Sequence, residues 1–173
     1  MPRLILLNGP PACGKSTHAQ RYADEHPLTL NLDIDRVRSL LGRWRDDPHT
    51  AGLLARDIAL AAARTHLESG HDVVVPQLLA RPTFIEQLER LARDVHAAFH
   101  EIVLLDSKEN MLRRFAERRA ATAQVEHSGD LSEMYDRLMS LIATRPGARI
   151  VHVHDGEVDL TYQSVRAMIC ESA

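Results

Sequence analysis

The chain has 173 residues, 21 Lys and Arg against 24 Asp and Glu, a formal net charge of −3 and a pI near 6.4. That length suits one compact domain, and the slightly acidic balance argues against broad nucleic-acid binding, which leaves a strongly basic footprint. No apolar stretch approaches the ~20 residues of a membrane span, the N-terminus lacks a signal-peptide layout, and Cys13 and Cys170 fit neither a disulfide framework nor a zinc pattern; a reduced, cytoplasmic, single domain over 1–173 is predicted.

Short apolar β-rich runs alternate with helical stretches, the pattern of a parallel sheet covered by helices. Strands are predicted at 3–8, 28–32, 72–76, 101–105 and 149–153, each nearly continuously apolar as buried parallel strands are. The first, Leu4-Ile5-Leu6-Leu7, runs into Gly9-Pro10-Pro11-Ala12-Cys13-Gly14-Lys15-Ser16-Thr17, and a helical segment follows. This is the Walker A pattern, G-x-x-x-x-G-K and then Ser or Thr. Its glycines let the loop curl around an anion, its N–H groups and the helix N-terminus face that anion, and the lysine reaches the outer phosphates. Pro10 and Pro11 carry no N–H. Gly9 therefore makes the turn, and the donating amides are those of Ala12, Cys13, Gly14, Lys15, Ser16 and Thr17. The Ser16 hydroxyl is placed for Mg²⁺. The stretch predicts binding of a nucleoside triphosphate. Cys13, beside Lys15 at a helix N-terminus, is expected to have a lowered thiol pKa, although it also reads as a small residue tolerated in the loop.

The second strand ends in Leu32-Asp33-Ile34-Asp35-Arg36-Val37-Arg38, with a helix starting at once. Ligands of open α/β sheets bind at the carboxyl ends of the strands, so Asp33 and Asp35 are expected to face the same crevice as the phosphate loop. A carboxylate there can accept a proton from a hydroxyl attacking a phosphate, or it can cap the helix. The residues alone leave open which acid does which. Arg38, one helical turn past Asp35, is placed to orient an acceptor.

Further along, Asp47-Pro48 reads as an N-cap with proline in the first helical position, and Gly70 as the end of that helix. The third strand ends Val75-Pro76-Gln77, with no acid where many phosphate-loop proteins support Mg²⁺. Ser16, with Asp33 or water, must then hold the metal, and Gln77 becomes a candidate acceptor-site residue. Thr83 and Glu86 fit a capping box ahead of an apolar face made by Phe84, Leu88, Leu91, Ala92 and Val95. Asp106 with Glu109 fits another capping box, which is preferred over a metal role. Met111, Leu112 and Phe115 give the next helix its apolar face, and Leu131, Met134, Leu138, Leu141 and Ile142 the one after. Between those helices, Arg113-Arg114…Arg118-Arg119 leads into a polar segment ending Ser128-Gly129-Asp130, and 113–130 is expected to form a mobile lid. Arg114 and Arg118 share a helix face. They read either as a solvated helix end or as guanidiniums for a transferring phosphoryl group. His152 and His154 alternate on the last strand beside Asp155, but no third ligand of suitable spacing points to a metal. The G-x-G-x-x-G dinucleotide fingerprint is absent.

The layout, with Walker A at residues 9–17 and D-x-x-R at Asp35-Arg36-Val37-Arg38, resembles the P-loop small-molecule kinases: chloramphenicol phosphotransferase, the zeta-toxin kinases and the 5′-kinase domain of polynucleotide kinases. The resemblance implies an α/β three-layer P-loop kinase fold, with a five-stranded parallel sheet, helices on both faces and a short helical lid. It implies ATP and Mg²⁺ as cofactors and transfer of the γ-phosphate to a hydroxyl of a small molecule such as an antibiotic, a sugar or a nucleoside. By the same resemblance Lys15, Asp35 and Arg118 are catalytic, with Asp35 as base. Arg114 lies against the adenine, Ser16 binds the metal, Asp33, Arg38 and Gln77 line the acceptor side, and Asp155-Gly156-Glu157 walls the adenine pocket. Two other readings are a polynucleotide 5′-end kinase and a nucleotide-binding ATPase or switch without an acceptor. Scarce aromatic residues and the acidic balance speak against the first.

Overall fold

Leu4, Ile5, Leu6 and Leu7 are buried because their strand has neighbours on both edges and helices on both faces. The computed structural model describes residues 1–122, 130–154 and 156–170, without the side chains of residues 118, 119, 121 and 122. In chain order the elements are β1 (Arg3–Asn8), α1 (Lys15–Glu25), β2 (Leu30–Asn31), α2 (Ile34–Ser39), α3 (Pro48–Glu68), β3 (Val73–Pro76), α4 (Pro82–Asp94), β4 (Ala98–Leu105), α5 (Lys108–Thr122), α6 (Leu131–Ala143), β5 (Arg149–His152) and α7 (Val158–Cys170). The five strands form one parallel sheet in the order β2-β3-β1-β4-β5. The predicted sheet with helices on both faces is the fold observed.

Side-chain alternation along β1 decides which helix covers which face. Leu4 and Leu6, with Val73 and Val75 of β3, pack against α3 and α4 through Ala55, Ala59, Ala63, Leu67, Ile85 and Leu88. Ile5 and Leu7, with Val74, Ile102 and Leu104, pack against α1 and α7 through Ala19, Tyr22, Tyr162, Val165 and Ile169. Strand order reverses at β1, so the crevice at its carboxyl end is where such sheets hold ligands.

Several boundaries differ from expectation. β2 is only Leu30–Asn31, because the chain first turns through Leu28, a left-handed residue with φ 65° and a side chain 69% exposed. β4 starts at Ala98, earlier than 101, where it pairs with Arg3. Asp47 does cap α3, accepting the Thr50 amide at 3.1 Å, with Pro48 following, and Gly70 (φ 88°) ends the turn after it. The Thr83 capping box is corrected. Pro82, whose ring presets helical φ, starts α4 two residues earlier than a Thr83 cap would, Arg81 sits at the cap, and no side chain caps this end.

Ala51, Ala55, Ala59 and Ala63 make a ridge of small residues at four-residue spacing along α3, all buried. Small side chains let this long helix lie close to α4 and β3. Ala59→Leu is therefore expected to destabilise the protein by roughly 1–3 kcal/mol through overpacking. Ile58→Ala, on the exposed face, should stay within about 0.5 kcal/mol. Urea unfolding midpoints check both.

Candidate active site

The loop between β1 and α1 has a backbone that only particular residues allow. Gly9 has φ 147°, and a Cβ there would lie 2.4 Å from the Leu104 carbonyl oxygen and 2.9 Å from Cys13 Sγ. Ala12 (φ 60°) and Gly14 (φ 90°) are left-handed, at a cost of roughly 1–2 kcal/mol at the alanine. Left-handed residues interspersed in a loop turn successive N–H groups to one concave side, which suits an anion. Gly14 is also the N-cap of α1, with no side-chain cap and no acid in the first turn. The positive end of the helix dipole is thus left unneutralised. Lys15 Nζ lies over the loop, donating to Gly9 O at 3.0 Å and Pro10 O at 2.7 Å. Ser16 and Thr17 are exposed at the helix start.

Asn8, which sequence reasoning did not single out, ties this loop to β3. It is 1% exposed; its Oδ1 accepts the Gly9 and Leu79 amides at 2.8 and 2.9 Å, and its Nδ2 donates to Leu79 O at 2.9 Å. The available signal was an amide side chain at the last position of an apolar strand. Below the loop, His18 is buried, with burial and then Arg21 lowering its pKa, so the ring stays neutral. A Cβ on Gly14 would sit 3.2 Å from His18 Nε2.

Cys13 corrects an expectation. It is 2% exposed, and burial pushes its thiol pKa up, outweighing the opposing pull of Lys15, whose Nζ is 3.8 Å from Sγ. A charge can lower a thiol's pKa only where desolvation of the thiolate does not cost more.

Register brings the second group of residues to the same edge. Asn31, Val74 and Ile5 share a row, so Asp33, two residues past the end of β2, lies toward the carboxyl end of the sheet, where β1 runs into the loop. At ordinary strand spacing β2 is roughly 10 Å from β1. Asp33 caps α2, its Oδ1 accepting the amides of Asp35 at 2.9 Å and Arg36 at 3.4 Å. Asp35 instead projects from the first turn, 61% exposed, with Oδ1 3.1 Å from Arg38 Nη2. The arginine also stacks on Trp44, its Cζ 4.6 Å from the ring centroid. Gln77 follows β3, its amide bonded to Leu7 O at 3.1 Å, and its Oε1 is buried without a partner among the described residues.

On the other flank Asp106 directly follows β4 and is buried. It is not the helix cap: Ser107 Oγ accepts the Asn110 amide at 3.1 Å, while Asp106 Oδ1 accepts the Ser107 amide and Asn110 Nδ2. Asp106 Oδ2 lies 3.2 Å from Arg114 Nη1, so Asp106 anchors Arg114, whose side chain is 18% exposed. The Arg118 side chain, residues 123–129 of the expected lid and Asp155 lie outside the described residues. His152 is exposed, and no cluster of three metal-binding side chains occurs among the described residues. A cavity of about 430 Å³ lined by Glu89, Arg93, Phe99, Glu101 and Arg145 opens along the first half of β4, away from the loop. No helix among the described residues is long and apolar enough to cross a membrane.

A family model described as an AAA domain matches residues 4–138, which takes in the loop, both acids of the second strand and the Arg114 helix. The chain belongs to this AAA-domain family. Solved structures share the family member's fold. A candidate kinase from Chloroflexus aurantiacus superposes with a TM-score of 0.73 at 21% identity, covering 99% of this chain and 98% of that one. The tunicamycin resistance protein of Deinococcus radiodurans gives 0.64 at 18% identity, covering 100% and 96%. A gluconokinase from Sinorhizobium meliloti gives 0.63 at 19%, covering 99% and 95%. No curated protein matches the AAA-domain chain in sequence.

The two thiols of this AAA-domain protein should behave differently. Cys170 is exposed and Cys13 buried, so at pH 8 a disulfide reagent such as dithionitrobenzoate should titrate one thiol quickly and the second only in denaturant. Cys170→Ser should remove the fast phase. A fast phase surviving in Cys170→Ser would mean that Cys13 is an activated thiolate.

Proposed function

We propose that the protein transfers the γ-phosphate of ATP to a hydroxyl of a small molecule. The observation that carries this reading is the placement of an exposed, arginine-paired carboxylate, Asp35, at the same sheet edge as a Walker A loop. A protein that only binds or hydrolyses nucleotide has no need of a second carboxylate–arginine pair beyond the phosphates. The names of the gluconokinase and the tunicamycin resistance protein point to small molecules, which supports the same direction.

In this reading the loop amides and Lys15 hold the triphosphate, Lys15 exchanging its contacts with Gly9 O and Pro10 O for phosphate oxygens. Asp35 accepts the acceptor hydroxyl's proton, and Arg38 holds the carboxylate in place. Arg114, anchored by Asp106, flanks the nucleotide, and Arg118 stabilises the moving phosphoryl group. The oxygen donors at this edge fit Mg²⁺, a hard cation that keeps several waters. Ser16 would hold it, with Asp33 or the buried Gln77 Oε1, which has no partner among the described residues, backing its waters. The ion would neutralise charge on the phosphates. Reduced thiols and a cytoplasmic setting accord with this role.

Asp35→Asn decides between a kinase and an ATPase without an acceptor. With an acceptor found by screening hydroxyl compounds, the variant should phosphorylate it ~10²–10⁴-fold more slowly while nucleotide affinity is nearly unchanged. Unchanged turnover would remove Asp35 from the role of base. Stimulation by nucleic-acid 5′ ends, instead of small hydroxyl compounds, would favour the polynucleotide kinase reading.

A further inference from the structure

The segment joining α2 to α3 puts the chain's single tryptophan onto the Asp35–Arg38 pair. α2 has six residues and ends with the Leu40 and Leu41 amides bonded to Val37 O and Arg38 O. The chain then reverses through Arg43, left-handed at φ 52°, with the Asp46 amide on Arg43 O at 2.9 Å and an ion pair between the two side chains. This reversal lays Trp44 back over α2. Arg38 Cζ lies 4.6 Å and Arg45 Cζ 4.5 Å from its ring centroid, and the ring is half-buried although it belongs to a loop.

Arg38 is held from two sides. Its Nη2 meets Asp35 Oδ1, its guanidinium lies on the indole, and its Nε is buried without a partner among the described residues. A guanidinium over an aromatic face tends to stack on it, so the face restricts the planes the group adopts. Its fork therefore points where the ring directs it. We propose that Trp44 is a positioning residue: its ring sets the plane of Arg38, and Arg38 in turn sets the rotamer of the exposed Asp35 carboxylate. A carboxylate 61% exposed on a six-residue helix has more than one rotamer open to it, and the ring-backed Arg38 favours the one that meets its Nη2. The proposal rests on the kinase reading for its catalytic consequence, but not for its geometry.

The geometry is tested by fluorescence, since all tryptophan emission comes from Trp44. Arg38→Ala and Arg45→Ala should each raise the acrylamide quenching constant above that of the parent protein, and unchanged quenching in both would overturn the clamp. This arm needs no substrate, so it stands even if no acceptor is ever phosphorylated. The consequence is tested by kinetics with an acceptor in hand. Trp44→Ala should lower kcat roughly 2- to 10-fold, the range of a partly exposed cation–π contact, with nucleotide affinity unchanged. Trp44→Phe, which keeps an aromatic face, should recover most of the loss, and Trp44→Leu, which keeps only bulk, should not. In an Arg38→Ala background Trp44→Ala should have no further effect, because the ring acts through the arginine. Equal recovery by Phe and Leu, or additive losses in the double variant, would reduce Trp44 to a space-filling residue and overturn the proposal.

Discussion

Everything at the binding edge depends on the close passage of Gly9 over β4. With 2.4 Å between a notional Cβ and the Leu104 carbonyl, the loop can leave β1 only where a side chain is missing. That passage puts the loop directly on the sheet, with no gap for a linker to move in. Asn8 then joins the same point to Leu79 beyond β3. The central strand is thus locked to both neighbours at the level where the loop begins, and α1 starts from a geometry it does not have to search for. The left-handed Ala12 and Gly14 persist because this frame over-determines them.

Charge at the edge is arranged in pairs. Asp35 holds Arg38 on one flank and Asp106 holds Arg114 on the other. The two pairs differ in burial, and that difference separates their roles. Asp106 is deep in the protein and accepts two further hydrogen bonds, so it serves as a fixed strut for the arginine. Asp35 is exposed on a short helix, with Arg38 beside it and the Trp44 ring behind the arginine. A buried acid beside a phosphate site would repel the nucleotide if it were unpaired, and the Arg114 contact removes that penalty.

The phosphate loop was legible in the sequence because its chemistry is local: glycines, lysine and hydroxyl occur within nine consecutive residues, and each is required by backbone geometry or charge. The sheet was legible for a similar reason, since buried parallel strands are uninterrupted apolar runs. Asp33 and Asp35 could be found but not told apart, because aspartate is a good cap at either position, and the amides that Asp33 accepts distinguish them. Cys13 was misread because Lys15 lies two residues away in sequence, while the cluster it is buried in, which includes Leu104 and Ala19, is apolar. Asp106 was misread for a related reason. A serine directly after it takes the cap, which frees the aspartate for a residue eight positions on. Trp44 carried no signal at all, since nothing local says that a left-handed arginine will fold it back over the preceding helix.

The two sides of the edge are built to different stiffness. The phosphate side rests on six-residue β1, eleven-residue α1 and a shared core of Ile5, Leu7, Ala19 and Tyr22. The Asp35 side rests on a two-residue strand and a six-residue helix that buries only Ile34, with left-handed non-glycine residues at Leu28 before it and Arg43 after it. Short elements with little buried apolar surface open locally at low free energy, and helices of six residues have no stability of their own. The loop side is therefore fixed by packing, whereas the Asp35 side has polar and aromatic contacts around Arg38 in place of a large core. Substitutions among those contacts can change what is recognised there without disturbing the core that holds the loop. A fold of this kind can keep one phosphate-binding half while its other half is altered, because the two halves draw their order from different interactions.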